Sequence, residues 1–160
     1  MRKVDLLNIT PEESQEIIYL VNEYACDPMG GAEPLGEKSK KNLVAELVKR
    51  HDRSHIFIAR DGTVPIGIAV CFEGFSTFNC QPLINIHDLV VISGYRAKGV
   101  GNMILAAVEE YGRSIDCCKL TLEVLEGNIQ AQNAYKKFGF HAYELDPKMG
   151  KALFWEKKIG

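Results

Sequence analysis

The stretch Leu89-Val90-Val91-Ile92-Ser93-Gly94-Tyr95-Arg96-Ala97-Lys98-Gly99-Val100-Gly101-Asn102 decides the fold. It leaves an apolar run of strand length, Leu83 to Val91, and passes through a turn holding Arg96, Gly99 and Gly101. It then enters a helical stripe of Val100, Ile104, Ala107, Val108 and Tyr111. The first N–H groups of such a helix have no internal acceptor, and the helix dipole is positive there. A strand–turn–helix junction of this kind suits a phosphate, and glycine lets the backbone approach the anion with no Cβ between them. Two other phosphate-binding patterns are absent from the sequence. There is no GxxxxGK[ST] loop, and no GxGxxG followed by an acidic residue about 20 positions later.

Working outward, Val4 to Ile9 alternates weakly and reads as a first strand. Thr10-Pro11-Glu12-Glu13 is a helix start, with Thr10 as cap, Pro11 in the first turn and Glu13 completing a capping box. Ile17, Ile18, Val21 and Tyr24 continue that helix, and Asp27 to Pro34 breaks it into a loop. Ser39 is placed to cap a second helix carrying Leu43, Val44, Leu47 and Val48. Strands follow at Ile56–Ala59 and Pro65–Phe72, joined by the hairpin signal Asp61-Gly62. After the decisive stretch, the sequence predicts a strand from Lys119 to Val124 and a helix from Asn128 to Phe138 that ends at Gly139. Phe140–Leu145 and Leu153–Lys157 read as two final strands. The order predicts an α/β (α+β) plan around one central sheet, mixed and mostly antiparallel, in a single domain over residues 1–160.

The 160 residues are 46% apolar and 25% charged, a globular balance, and a chain this long buries roughly 70% of its unfolded surface. The net charge of −2 excludes a globally basic nucleic-acid binder. No apolar run reaches the ~20 residues of a membrane span, and the first residues lack a signal-peptide pattern, so a cytoplasmic location is expected. Five cysteines without a CxxC spacing read as reduced thiols. Acidic side chains crowd the first 37 residues (Asp5, Glu12, Glu13, Glu16, Glu23, Asp27, Glu33, Glu37), against only Arg2 and Lys3. This is either a solvated helix face or an acidic lip that attracts a cationic substrate.

Arg96-Ala97-Lys98-Gly99-Val100-Gly101 resembles the R/Q-x-x-G-x-G/A pyrophosphate loop of the GNAT superfamily of acyl-CoA-dependent N-acyltransferases. Asn128 to Phe140, with Asn128, Asn133, Ala134, Tyr135, Gly139 and Phe140, resembles that family's second cofactor motif. Ala97 departs from the pattern, since many members carry a second glycine there. The resemblance implies the GNAT fold, with about four helices, about six to seven strands and a splayed strand pair that admits the cofactor. It implies acetyl-CoA as co-substrate, with no metal. The arm would be held by Leu89, Val90 and Val91. The pyrophosphate would lie on the amides of Ala97, Lys98, Gly99, Val100, Gly101 and Asn102, and Arg96 belongs to the same cofactor loop. Asn128, Asn133 and Tyr135 would complete the cofactor site.

In the family, a tyrosine at the place of Tyr135 gives a proton to the departing thiolate, and a phenol pKa of about 10 suits that task. An amine must lose a proton before it attacks. The sequence offers His87, Asp88, Glu73 and Glu123 as acceptors, or a water relay. His87 is best placed by strand parity, two residues before Leu89, where polyamine-acetylating relatives carry a glutamate. Gly74–Phe78, Ile86–Leu89 and Gly150–Trp155 are nearest in look to the diamine and polyamine acetyltransferases. The expected activity is acetyl transfer from acetyl-CoA to a primary amine by direct attack in a ternary complex, since no cysteine lies in either motif. The acceptor is expected to be a small cationic amine, with no nucleic-acid or membrane partner. In relatives an apolar final strand such as that at Phe154 and Trp155 often pairs across a dimer, so a homodimer is expected; otherwise the strand closes the monomer's own sheet. The alternative is a non-catalytic acyl-CoA-binding or scaffolding module on the same fold.

Overall fold

A computed structural model describes residues 1–7 and 9–159, apart from the side chain of Glu12. The chain divides into two compact units, Met1–Leu122 and Glu123–Gly160, and each is described by itself.

The first unit runs β1 (Arg2–Leu6), α1 (Pro11–Cys26), α2 (Glu37–Val48), β2 (Ser54–Asp61), β3 (Val64–Ser76), β4 (Gln81–Val91), α3 (Val100–Ser114) and β5 (Leu120–Leu122). One turn of 3₁₀ helix, Ser93–Tyr95, leads from β4 towards α3. The strands form one sheet in the order β1-β2-β3-β4-β5. The first four are antiparallel and β5 is parallel to β4. The capping box forms as read: Thr10 N–H donates to Glu13 Oε2 at 2.8 Å, and Glu13 N–H donates to Thr10 Oγ1 at 3.4 Å. α2 begins two residues before the expected Ser39, with Gly36 at its cap and no side-chain cap bond.

Alternation along the strands splits the core into two layers. Ile17 and Leu20 of α1 and Leu47 of α2 pack on Ile56, Ile58, Ile68, Val70 and Val90. On the opposite face α3 buries Val100, Ile104, Leu105 and Val108. Phe57 meets Tyr111 of α3 edge to face at 5.9 Å. Period two in the strands and 3.6 in α3 give this sandwich directly.

Three of the early acidic residues are occupied within the fold. Arg60, 13% exposed, pairs with Asp5 at 3.0 Å, with Glu13 at 3.9 Å and with Glu16. Their charge ties β1, α1 and β2 together, which takes these three carboxylates out of any acidic lip.

The second unit holds α4 (Ile129–Phe138), which Asn128 caps by accepting from Ala131 N–H at 3.1 Å. Gly139, at φ 117°, closes it as expected. The two final strands do not form among the described residues, so the sheet has five strands where about six to seven were expected. Between them Asp146–Gly150 turns back, with Met149 N–H on Asp146 C=O at 2.9 Å. Among the described residues, a single bridge, Glu144–Lys151, joins the two arms. Apolar alternation becomes a strand only where a ladder of partners satisfies the backbone, and here one bridge is present.

Candidate functional site

β4 is the strand on which the site is built. β5 covers it only from Ile84 to Ile86. From His87 to Val91 that edge has no strand alongside among the described residues. On the other edge Ile92 N–H donates to Ile66 C=O at 3.1 Å, and Val90 stands opposite Ile68. Ladder bonds alternate in an antiparallel pair, so Val90 is bonded towards β3 while the backbone groups of Leu89 and Val91 face the open edge. Val90 also sends its side chain, 5% exposed, into the core. Of the three residues expected to hold the arm, Leu89 and Val91 are therefore turned towards the opening and Val90 away from it. The Val91 carbonyl is already engaged, accepting from Arg96 Nε at 2.9 Å.

The ladder between β3 and β4 shifts register at Val70/Cys71, so Val70 faces Asp88, Cys71 faces Ile86 and His87 is left over. A bulge of this kind interrupts strand alternation. His87 lies edge to face with Phe72, at 5.6 Å, and Phe72 packs with the α1–α2 core. Asp88 is opposite Val70 of the same core. Leu89, opposite Ala69, points to the α3 side with Gly67, whose added Cβ would meet Ile104 Cδ1 at 3.0 Å. The parity that linked His87 to Leu89 therefore fails. The bulge instead brings His87 and Asp88, two consecutive titratable groups, to the α1 face.

Asp88 is half-buried. Loss of solvent raises its carboxyl above the ordinary carboxylate range, and the neighbouring charge of His87 opposes this. Its own charge raises the phenol of Tyr24 on α1, second to burial. The Cys71 thiol is pushed up to about 12 by burial and then by Asp88, so it is an inert core group.

Beyond β4 the turn has the shape that an anion requires. Gly99 caps α3 at φ 82°, where glycine is at ease, and open space lies where a Cβ would stand. The first backbone bond of α3 is Met103 N–H to Gly99 C=O, at 3.1 Å. The amides of Val100, Gly101 and Asn102 therefore precede the helical ladder. Val100 buries its side chain and offers only its backbone, while Asn102 is exposed. Lys98 and Arg2 stand over the Tyr95 ring, 5.4 and 5.6 Å from its centre, and Arg2 Nη1 donates to the Lys98 carbonyl at 3.2 Å. Arg2 was missed in the sequence, because nothing local connects the second residue with the ninety-fifth. These amides and cations fit the pyrophosphate of a coenzyme A thioester.

Ala97, in place of the family's second glycine, adopts φ 57°. The left-handed region costs an L-residue roughly 1–2 kcal/mol, and glycine gives back about 0.5–1 kcal/mol through its freer unfolded chain. Ala97→Gly is therefore expected to raise the thermal midpoint by about 2–4 °C, which a calorimetric melt would read. A fall in midpoint would show that the methyl group makes a compensating contact.

The remaining expected residues lie on α4 in the second unit. Asn128 uses its side-chain oxygen for the cap, and Asn133 is exposed. Tyr135 is half-buried, its ring edge to face with Phe140 at 5.9 Å. Among the described residues, no group of three or more His, Cys, Asp or Glu is placed to hold a metal ion.

A model of the acetyltransferase (GNAT) family matches residues 18–140. The chain is similar to thialysine N-epsilon-acetyltransferase of Mus musculus, 29% identical over 61% of this chain and 53% of that protein. It is similar to streptothricin acetyltransferase of Streptomyces lavendulae, 30% identical over 64% of this chain and 51% of the other. The chain thus spans about half the length of these curated relatives. Among solved structures, a probable acetyltransferase superposes with a TM-score of 0.80 at 19% identity, covering 99% of both chains. AAC(6')-Iy in complex with the bisubstrate analogue CoA-S-monomethyl-acetylneamine superposes with a TM-score of 0.77 at 18% identity, again over 99% of each chain. These two likenesses concern the fold.

Proposed function

The chain belongs to the GNAT acetyltransferase family, and from that premise we propose that it transfers an acetyl group from acetyl-CoA to a small cationic primary amine. The observation that carries the reading is the open edge of β4 leading into the Gly99-capped amides of α3. Leu89 and the N–H of Val91 bind the arm, and the amides from Ala97 to Asn102 bind the pyrophosphate. Acetyl-CoA supplies the activated acetyl group when bound. Asn128 and Asn133 take the roles that the family motif gives them.

Asp88 binds the arriving ammonium group. A carboxylate short of solvent is relieved by a cation, and pairing with it offsets what the ammonium loses with its water shell. His87, beside it on the same face, takes the amine's proton. Tyr135 holds the proton that the thiolate leaving group requires. The name thialysine N-epsilon-acetyltransferase places the acceptor atom on nitrogen in that relative, which supports an amine here. The exposed Leu153, Phe154 and Trp155, at 72, 77 and 82% exposure, support self-association as a homodimer.

The test is mass-spectrometric detection of acetylated product from diamines, polyamines, aminoglycosides, amino acids and lysine peptides. Product on one class is expected. Acetyl-CoA binding without product on any class would favour the non-catalytic module. His87→Ala is expected to lower kcat/KM by roughly 10²-fold near neutral pH and to approach wild type near pH 10, where an alkylamine is neutral unaided. A ratio that stays flat with pH would assign the proton to a water relay.

A further inference from the structure

We propose that Asp27 and Arg96 are positioning residues that tether the loop after α1 to the cofactor turn, so that an anion held on the turn also restrains that loop. The ligand in this proposal rests on the acyl-CoA reading above. The tether itself rests on geometry.

The two residues are 69 positions apart, and Arg96 Nη2 donates to Asp27 Oδ2 at 2.7 Å. Arg96 Nε donates to the Val91 carbonyl at 2.9 Å. One guanidinium thus joins the turn, the end of β4 and the loop. A planar fork suits such bridging, and a bond between two charged groups is stronger than a neutral one. With these donors directed at protein acceptors, the backbone amides are left to meet the phosphates.

Asp27 is also the hub of its own loop. Its Oδ1 accepts from Met29 N–H at 2.9 Å. Its N–H donates to Tyr24 C=O at 2.9 Å, and its carbonyl accepts from Gly30 N–H at 2.8 Å and Ala32 N–H at 3.0 Å. A Cβ on Gly30 would stand 1.9 Å from the Tyr24 carbonyl oxygen, so only glycine lets the loop fold this close to the helix end. The Met29 amide and then Arg96 hold the Asp27 carboxyl below its ordinary range, which keeps it ionised at neutral pH. Tyr24, which Asp27 caps, is within electrostatic reach of Asp88. The tether therefore runs from the pyrophosphate turn to the surroundings of the carboxylate assigned to the amine. Neither residue contacts the reacting atoms in this proposal; each acts through the loop.

Hydrogen exchange read by mass spectrometry tests it, with CoA as the probe and Asp27→Asn, Arg96→Gln and the double variant beside wild type. Without CoA, each single variant is expected to speed exchange at Gly30 and Ala32 by about fivefold to tenfold, and the double variant no further. With CoA, the wild-type loop is expected to slow. Asp27→Asn should bind CoA and protect residues 97–102 but no longer protect the loop. Unchanged exchange in the single variants, or an additive double variant, overturns the tether. A wild-type loop that ignores CoA or exchanges faster with it, or one protected equally in the variants, overturns the coupling. If wild type fails to bind CoA, the acyl-CoA reading falls and the coupling with it, while the CoA-free arm still reports on the tether. Arg96→Lys, which keeps the charge and loses the fork, serves if Arg96→Gln fails to fold, with the same expected loss of loop protection.

Discussion

Replacing Tyr135 by phenylalanine is expected to lower kcat by about 10²- to 10³-fold while leaving the Kd of acetyl-CoA within about twofold. The ring packs edge to face against Phe140, and phenylalanine keeps that contact. Only the hydroxyl is lost, so a fall in turnover reports its proton. An interaction made only with the departing thiolate lowers kcat and kcat/KM together and leaves substrate affinity alone. Single-turnover kinetics with a direct binding measurement separates the two quantities. Unchanged turnover would remove Tyr135 from the chemistry and leave it as a packing residue of α4.

The second large effect is expected from Asp88→Asn, and it should act in opposite directions on activity and stability. Removing one partner of a largely desolvated ion pair is expected to lower kcat/KM for a cationic amine by roughly 10²-fold. In wild type kcat/KM should rise as pH increases through the raised pKa of Asp88, because the ionised form binds the ammonium. The asparagine variant should lack that limb.

Stability should change the other way. Burial lifts the folded-state pKa of Asp88 above the unfolded value of about 3.9. Its contribution to stability is then fully present below the unfolded pKa and is lost as pH rises through the folded one. Above the folded-state pKa the free protein therefore carries a carboxylate that weakens it. Asparagine is expected to raise the melting temperature there by on the order of 2–4 °C, and to change it little below about pH 3.9. A variant that melts higher and still acetylates cationic amines at full rate would exclude Asp88 from amine binding.

What was legible in the sequence is what short-range chemistry fixes. The Thr10–Glu13 box, the glycine-bearing turn before α3, the Asn128 cap and the Gly139 stop each depend on residues within a few positions of one another. The faces of α1 and α3 followed from period alone. What stayed hidden depends on pairing between distant segments. The β4 bulge exists because of how β3 lies against β4, and no pattern within Ile86–Leu89 announces it. The Asp27–Arg96 and Arg2–Tyr95 contacts join places far apart in the chain. Arg60 took up acidic residues that had looked available to a substrate. The two final strands, not formed among the described residues, show the same dependence, since their alternation was real but one bridge joins them there.

The extra residue at His87 also matters for anyone who would retune acceptor choice. In an evenly alternating strand, a library would vary every second position, because the intervening side chains point to the far side. On the proposed roles of His87 and Asp88, the productive library is a contiguous dipeptide, 87 and 88 together. Deleting one residue upstream in β4 would remove the extra residue, restore even alternation and hand one of the two positions to the opposite layer.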